Sequence, residues 1–320
     1  MTSLLQFLEV EWPFLLCILE VGLCVAAAIA VVVKFEARPS TKRIDSSGNG
    51  GDAAALASIQ LFRCSSGVLH PAWLAGIRAI SFIYLLSIWI ISFVANGPLS
   101  LVFYTQWTFT LLVIYFGLAS YISIAKLVSG AAKEKKIVLL EESLGDEETG
   151  NFIEQESIAD ATEDETDASA GFIGYATLVI FQTATAASVL TDTVYWFILV
   201  PYVLASPFFD LNFVNINMHG ANAIFLLVEL FLNDLPFPWF RGAYFVFWTA
   251  AYVVFQWFIH GTRLLTWWPY PFLEVSTHYA PAWYFGLAFA HLICFLICLA
   301  LARTKQPVIS YFVSRSARQK

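Results

Sequence analysis

Charged side chains are scarce in this 320-residue chain: Asp, Glu, Lys and Arg together make up 13%, about half their share in soluble domains. So few charges cannot cover a water-facing surface, which excludes an ordinary soluble globule and requires most of the surface to face lipid. Cysteine is scarce too. Of the five, Cys17, Cys24, Cys294 and Cys298 sit in apolar runs at i,i+7 and i,i+4 spacings, where thiols act as small hydrophobes, and Cys64 sits in a polar stretch. There is no CxxC, no Cys/His metal spacing and no disulfide framework, so no cofactor and no metal are expected. An N-x-S/T sequon is also missing. The first apolar run has neither a basic leader nor a small-residue cleavage site, and Lys34 follows it, which reads as an uncleaved span.

Hydrophobic residues, by contrast, reach 59%, with 29 Phe and 11 Trp. Runs of about 20 apolar residues, enough to cross a hydrocarbon core of about 30 Å, occur seven times: Trp12–Val33, Ile77–Val94, Trp107–Val128, Gly171–Ala205, Asn212–Leu232, Phe240–His260 and Pro281–Ala302. The expected fold class is all-α, a polytopic transmembrane helix bundle. The fourth run is overlong, so it must tilt, project beyond the bilayer or bend at Pro201. The chain divides into an N-terminal span (1–34), a Ser/Gly-rich cytosolic linker (35–76), spans two and three (77–128), an acidic loop (129–170), spans four to seven (171–302) and a basic tail (303–320). The net charge of −7 belongs to one place, because residues 133–170 hold thirteen Asp or Glu and three Lys. That composition predicts a disordered cytosolic loop.

Lys and Arg fix an expected orientation. With the N-terminus outside and the C-terminus inside, sixteen of the 17 basic residues fall on the inner side and Arg263 alone falls outside. Trp267, Trp268, Tyr270, Trp283 and Tyr284 then form an outer aromatic belt. An integral membrane location, in endoplasmic reticulum or plasma membrane, is expected. Membrane lipids are the expected partners, and nucleic acid is not one.

Ionisable groups inside spans cost about 2.5–3.5 kcal/mol at a helix centre, which makes each a functional hypothesis. They are Glu20, Asp192, His219, Glu229, His260 and His291, accompanied by Thr108, Ser188, Asn215, Asn222 and Gln256. In the N-out arrangement Thr108, Asp192, His219 and His260 converge on one depth near the outer interface. At about 100° per residue, Asn215, His219, Asn222 and Glu229 form one stripe on span five. Thr185, Ser188, Asp192 and Tyr195 share a face of span four, and Thr249, Gln256 and His260 share one of span six. Polar pairs often serve as helix–helix glue, the reading preferred for Ser188, Asn222 and Gln256. Glu20, alone in span one, and His291, with no stripe, read as structural. A Thr, a His and an Asp at one depth suit nucleophilic ester chemistry, with His as base and the carboxylate orienting it.

The stretch Asn215-Ile216-Asn217-Met218-His219, with Glu229 ten residues on, resembles the N-x-x-M-H…E segment of the androgen-induced / androgen-dependent membrane protein family. Trp268-Pro269-Tyr270-Pro271-Phe272-Leu273-Glu274 resembles that family's W-V-Y-P-F-L-E segment, and Trp107-Thr108-Phe109 its aliphatic-T-F step. Leu235-Pro236-Phe237-Pro238-Trp239-Phe240 is most similar to plant-type multi-pass members, with a distant likeness to the rolling-stone myoblast-fusion group. The family has six spans, so the resemblance makes span one an N-terminal addition. It implies an intramembrane threonine hydrolase of fatty-acid esters of hydroxy fatty acids, with Thr108 as nucleophile and His219 as base. Asp192, Asn215, Asn222 and His260 are supporting candidates read from the residues alone. Ile216 stands where the family has a first His, Gly220 replaces a Thr, and a shortened interval after Thr108 leaves Thr105 and Thr110 as competing nucleophiles. The alternative classes are a non-enzymatic seven-span receptor or scaffold, and a transporter using the intramembrane carboxylates. A G-protein-coupled type is disfavoured by the lack of D-R-Y and N-P-x-x-Y.

Overall fold

The computed structural model of the chain describes residues 2–36, 70–144, 152–201 and 212–317, with side chains over most of 12–36, 70–132, 172–201 and 212–311. Among the described residues, seven helices are long and apolar enough to cross a membrane, and they match the seven runs read from the sequence. They are α1 (Thr2–Phe35), α2 (Pro71–Asn96), α3 (Tyr104–Leu144), α4 (Phe152–Val194), α5 (Phe213–Leu232), α6 (Gly242–Gly261) and α7 (Ala280–Ala317). The chain is therefore an all-α, multi-pass membrane protein. The linker 35–76, with Cys64, lies outside the described residues between 37 and 69. Of the acidic stretch 129–170, residues 145–151 and every side chain from 133 onward lie outside the described residues, and its flanking backbone is helical as extensions of α3 and α4.

Local chemistry explains the helix limits. Pro71 opens α2 at a position that needs no N–H, and His70 Nδ1 caps the first turn by accepting from Ala72 N at 3.2 Å. Gly97, at φ 64°, turns the chain out of α2 into a short 3₁₀ turn, Pro98–Val102. That tight connection makes α2 and α3 antiparallel neighbours and sets Tyr104 and Thr105 in the first turn of α3. The end of α6 closes with Arg263 at φ 58° and Leu265 N bonded to Ile259 O at 3.1 Å, a left-handed helix stop.

Successive helices run up and down. Trp12, where the apolar part of α1 begins, stacks on His278 just before α7, while Glu36 just past the far end of α1 bonds Arg241, just before α6, at 3.0 Å. At the centre stands α4, packed against α3, α5, α6 and α7. Its run of small residues from Thr183 to Ser188 is buried on every side, which lets neighbouring backbones approach closely. By contrast, α1 packs on α6 and α7 only at the rim and turns Leu15, Leu19 and Leu23 outward.

The deepest polar group corrects the charge count. Arg78, placed with the flanking basic residues by sequence, is wholly buried and pairs with the equally buried Glu229 at 2.6 Å. The guanidinium also donates to Ser123 Oγ at 2.7 Å, and Glu229 accepts from Tyr115 OH at 2.6 Å and Asn233 Nδ2 at 3.1 Å. Because α2 begins at Pro71, six residues before the apolar run, Arg78 falls within the helix and turns inward. Its carboxylate partner is therefore engaged entirely within the chain.

Removing one partner of this pair strands a buried charge, which costs about 3–5 kcal/mol. Arg78→Met and Glu229→Leu should each lower stability by that order in denaturant titrations of the detergent-solubilised protein. The double variant should lose clearly less than the sum, and strict additivity would show that the two groups act independently.

Candidate functional site

Two polar clusters occupy the half of the bundle that holds the α2–α3 and α6–α7 connections. The first joins α4 to α5 where both helices widen into a π turn, over Tyr195–Leu199 and Asn217–Ala221. Such turns accommodate one extra residue and free backbone carbonyls, and they recur at functional sites. Here the freed His219 carbonyl accepts from Trp196 Nε1 at 2.6 Å. The His219 ring stacks on Tyr195 with centroids 3.8 Å apart. Its Nδ1 donates to Asp192 Oδ1 at 3.2 Å, and Asn222 Nδ2 donates to the same oxygen at 3.1 Å. Of the four residues expected to converge at one depth, Asp192 and His219 are hydrogen-bonded, joined by Asn222 and not by Thr108 or His260.

The other sequence candidates lie elsewhere. Thr108 is buried, and its hydroxyl has no hydrogen-bond partner among the described residues, His219 included. Thr110 is occupied, donating to Gln106 O and accepting from Trp89 Nε1. Asn215 uses its backbone N–H in the helix cap of Asn212 and is only half-buried. The inward place belongs to Asn217, which binds Tyr84 OH and Phe213 O. A uniform 100° step fails across the π turn, so the residues before it rotate relative to Asn222 and Glu229. His260 ties the end of α6 to the following loop, contacting Gln256 O at 2.7 Å and Trp267 O at 2.9 Å and stacking on Trp268 at 3.7 Å.

The second cluster lines a cavity of about 150 Å³ enclosed by α1, α3, α4, α6, α7 and the 262–279 connection. His291 Nδ1 lies 2.6 Å from Leu287 O, and a carbonyl can only accept, so Nδ1 carries the proton. In the neutral ring Nε2 is then an acceptor, and Thr249 Oγ1 donates to it across 2.8 Å. Tyr104 OH, 2.7 Å from the same Oγ1, completes a directional chain from Tyr104 through Thr249 and His291 to Leu287 O. Thr105, Tyr270 and Glu20 face the same cavity. Burial raises the Tyr270 phenol above its ordinary pKa, so it stays a neutral donor.

This constellation escaped the sequence reading because Glu20 and His291 each stood alone on their helices. A depth count would have found part of it: Thr249 lies eleven residues before His260, and His291 eleven after Ala280, both about 16 Å from the same end of the bundle.

Both hydrogen-bond patterns fix a tautomer. In protein labelled with ¹⁵N-histidine, at a pH where the rings are neutral, His219 and His291 should show the Nδ1–H form, identified among the five histidines by His219→Gln and His291→Gln. An Nε2–H signal from His291 would reverse the Thr249 hydrogen bond and remove its basic nitrogen.

No protein-family model matches the chain, and no curated protein or solved structure matches it.

Proposed function

We propose that the protein is an intramembrane hydrolase of lipid esters, acting at the cavity with Thr249 as nucleophile and His291 as base. The observation that carries this reading is the 2.8 Å hydrogen bond from the Thr249 hydroxyl to a basic imidazole nitrogen on an apolar cavity wall. A hydroxyl is a weak nucleophile until a base takes its proton. Nucleophile, base and a third group that orients the base are in sequence here, with Leu287 O in the role that a carboxylate fills in a triad. The resemblance of spans two to seven to a family of threonine hydrolases supports the same reaction class. It points, however, to Thr108 and His219 as the pair. With the N-terminus outside, the cavity lies in the outer half of the bundle.

In the reaction, Thr249 Oγ attacks the ester carbonyl as His291 Nε2 takes the hydroxyl proton. Collapse of the tetrahedral adduct expels the alcohol, which leaves with that proton, and an acyl-threonine remains. Water then attacks the acyl carbon, again giving its proton to His291, and the acid is released as Thr249 recovers the proton. Tyr104 holds the Thr249 hydroxyl on its acceptor side, and Thr105 and Tyr270 offer further hydroxyl donors to the cavity. The Asp192–His219 pair has a base and its orienting carboxylate, but no hydroxyl on Nε2 among the described residues.

Membranes containing the protein should hydrolyse a fluorogenic long-chain ester and react with a fluorophosphonate. Thr249→Ala and His291→Ala should each lower turnover by about 10²–10⁴-fold, with the double variant no worse than the lower single one, as for residues acting as a unit. Thr108→Ala and His219→Ala should retain most of it. The opposite pattern would move the chemistry to Thr108 and His219, and no turnover or labelling in the wild type would sink the hydrolase reading.

A further inference from the structure

Glu20 has no counterpart to the partners that surround Glu229. It projects from α1 into the cavity wall, and its Oε2 is buried with no hydrogen-bond partner among the described residues. Among those residues neither Lys nor Arg lines the cavity, and the one basic group that does, His291, is neutral with its Nε2 taken by Thr249, so the resting cavity offers the carboxylate no countercharge. The same cavity is lined by aromatic side chains, Tyr104, Tyr252, Tyr270, Phe272 and Tyr284. A carboxylate among aromatic rings is the chemistry that recognises an organic ammonium ion, since the ring faces carry negative potential and desolvated cations gain most from it. A neutral hydroxyl would satisfy the Glu20 oxygen but would gain nothing from the rings. An unpaired carboxylate in hydrocarbon is costly, and a cation entering with the ligand would offset that cost.

We propose that the cavity takes a lipid bearing an ammonium group, held by Glu20 and the surrounding aromatic rings, so that an amine-bearing lipid ester is the substrate class. This deepens the hydrolase reading and rests on it in taking the cavity as the substrate site. The placement gives α1 a definite role, because the peripheral helix of the bundle supplies the anionic residue of the cavity.

The test uses the full chain in dodecyl maltoside, a detergent without ammonium groups. Two photoreactive probes are compared, a decyltrimethylammonium with a diazirine in its chain and the same molecule with a tert-butyl head, and labelled residues are mapped by mass spectrometry. The cationic probe should label the segments carrying Glu20, Tyr104 or Tyr284 about tenfold more than the neutral one. Glu20→Gln should abolish that preference, while Thr249→Val should keep it. Equal labelling of wild type by the two probes overturns the inference, whether or not Glu20→Gln folds, and so does a preference that survives Glu20→Gln. If the preference holds and no ester is turned over, the hydrolase reading fails and the ammonium site stands. Turnover without any preference has the opposite consequence.

Discussion

In hydrocarbon a polar group has only the protein to bond with, and each of the seven helices is arranged around that constraint. Its strongest expression is the Arg78–Glu229 pair, taken wholly out of solvent and surrounded by Ser123, Tyr115 and Asn233, which engage the remaining donors and lone pairs. The pair links α2 to α5, and Ser123 and Tyr115 bring in α3. Asn233 extends the same assembly to the α5–α6 connection, where Lys305 of α7 bonds Asn233 O and Leu235 O. One polar core therefore fixes four helices at one end of the bundle. The opposite half is left to small-residue packing around α4 and to the two clusters that carry chemistry.

Those clusters differ in what their polar atoms still lack. At the π turns, Asp192 has two donors on one oxygen, and the backbone bends to let Trp196 reach a carbonyl. That arrangement positions His219 firmly but offers it no hydroxyl among the described residues. At the cavity, Thr249 sits between a donor and a base, so the hydroxyl hydrogen already points along the path a proton transfer would follow. Geometry of this kind matters more than residue identity, because a Thr and a His at the same depth accomplish nothing unless their atoms meet.

The seven spans were legible because crossing a bilayer requires length and apolarity, both of which survive in a linear string. The inward face of α5 after its π turn was legible for the same kind of reason, since Asn222 and Glu229 follow an ordinary helical step. So was the meeting of Asp192 with His219, which share a depth and inward faces, although the same depth also offered Thr108 and His260, which do not join them. What failed had physical causes. Counting basic residues treats Arg78 as an interfacial charge, although the count carries no information about a buried partner 151 positions away. The π turn exchanges Asn217 for Asn215, because one inserted residue changes the phase of everything before it. The Tyr104–Thr249–His291 chain draws one residue from each of three helices, so no single periodicity contains it.

The relation of α1 to the rest follows from these contrasts. The helices that share the Arg78–Glu229 assembly hold one another through buried polar bonds. Helix α1 instead rests on α6 and α7 through apolar contact, with the Glu36–Arg241 ion pair at its end. Little of its length is buried, so packing alone gives weak selection for a carboxylate at position 20, where a leucine would insert more cheaply. A carboxyl group kept at a cost on the least buried of the described spans, lining a cavity where one of its oxygens has no partner, is best accounted for by what enters that cavity. The saturated Glu229 stabilises the bundle by having every partner within the chain, whereas Glu20 is suited to binding because one of its partners must come from outside.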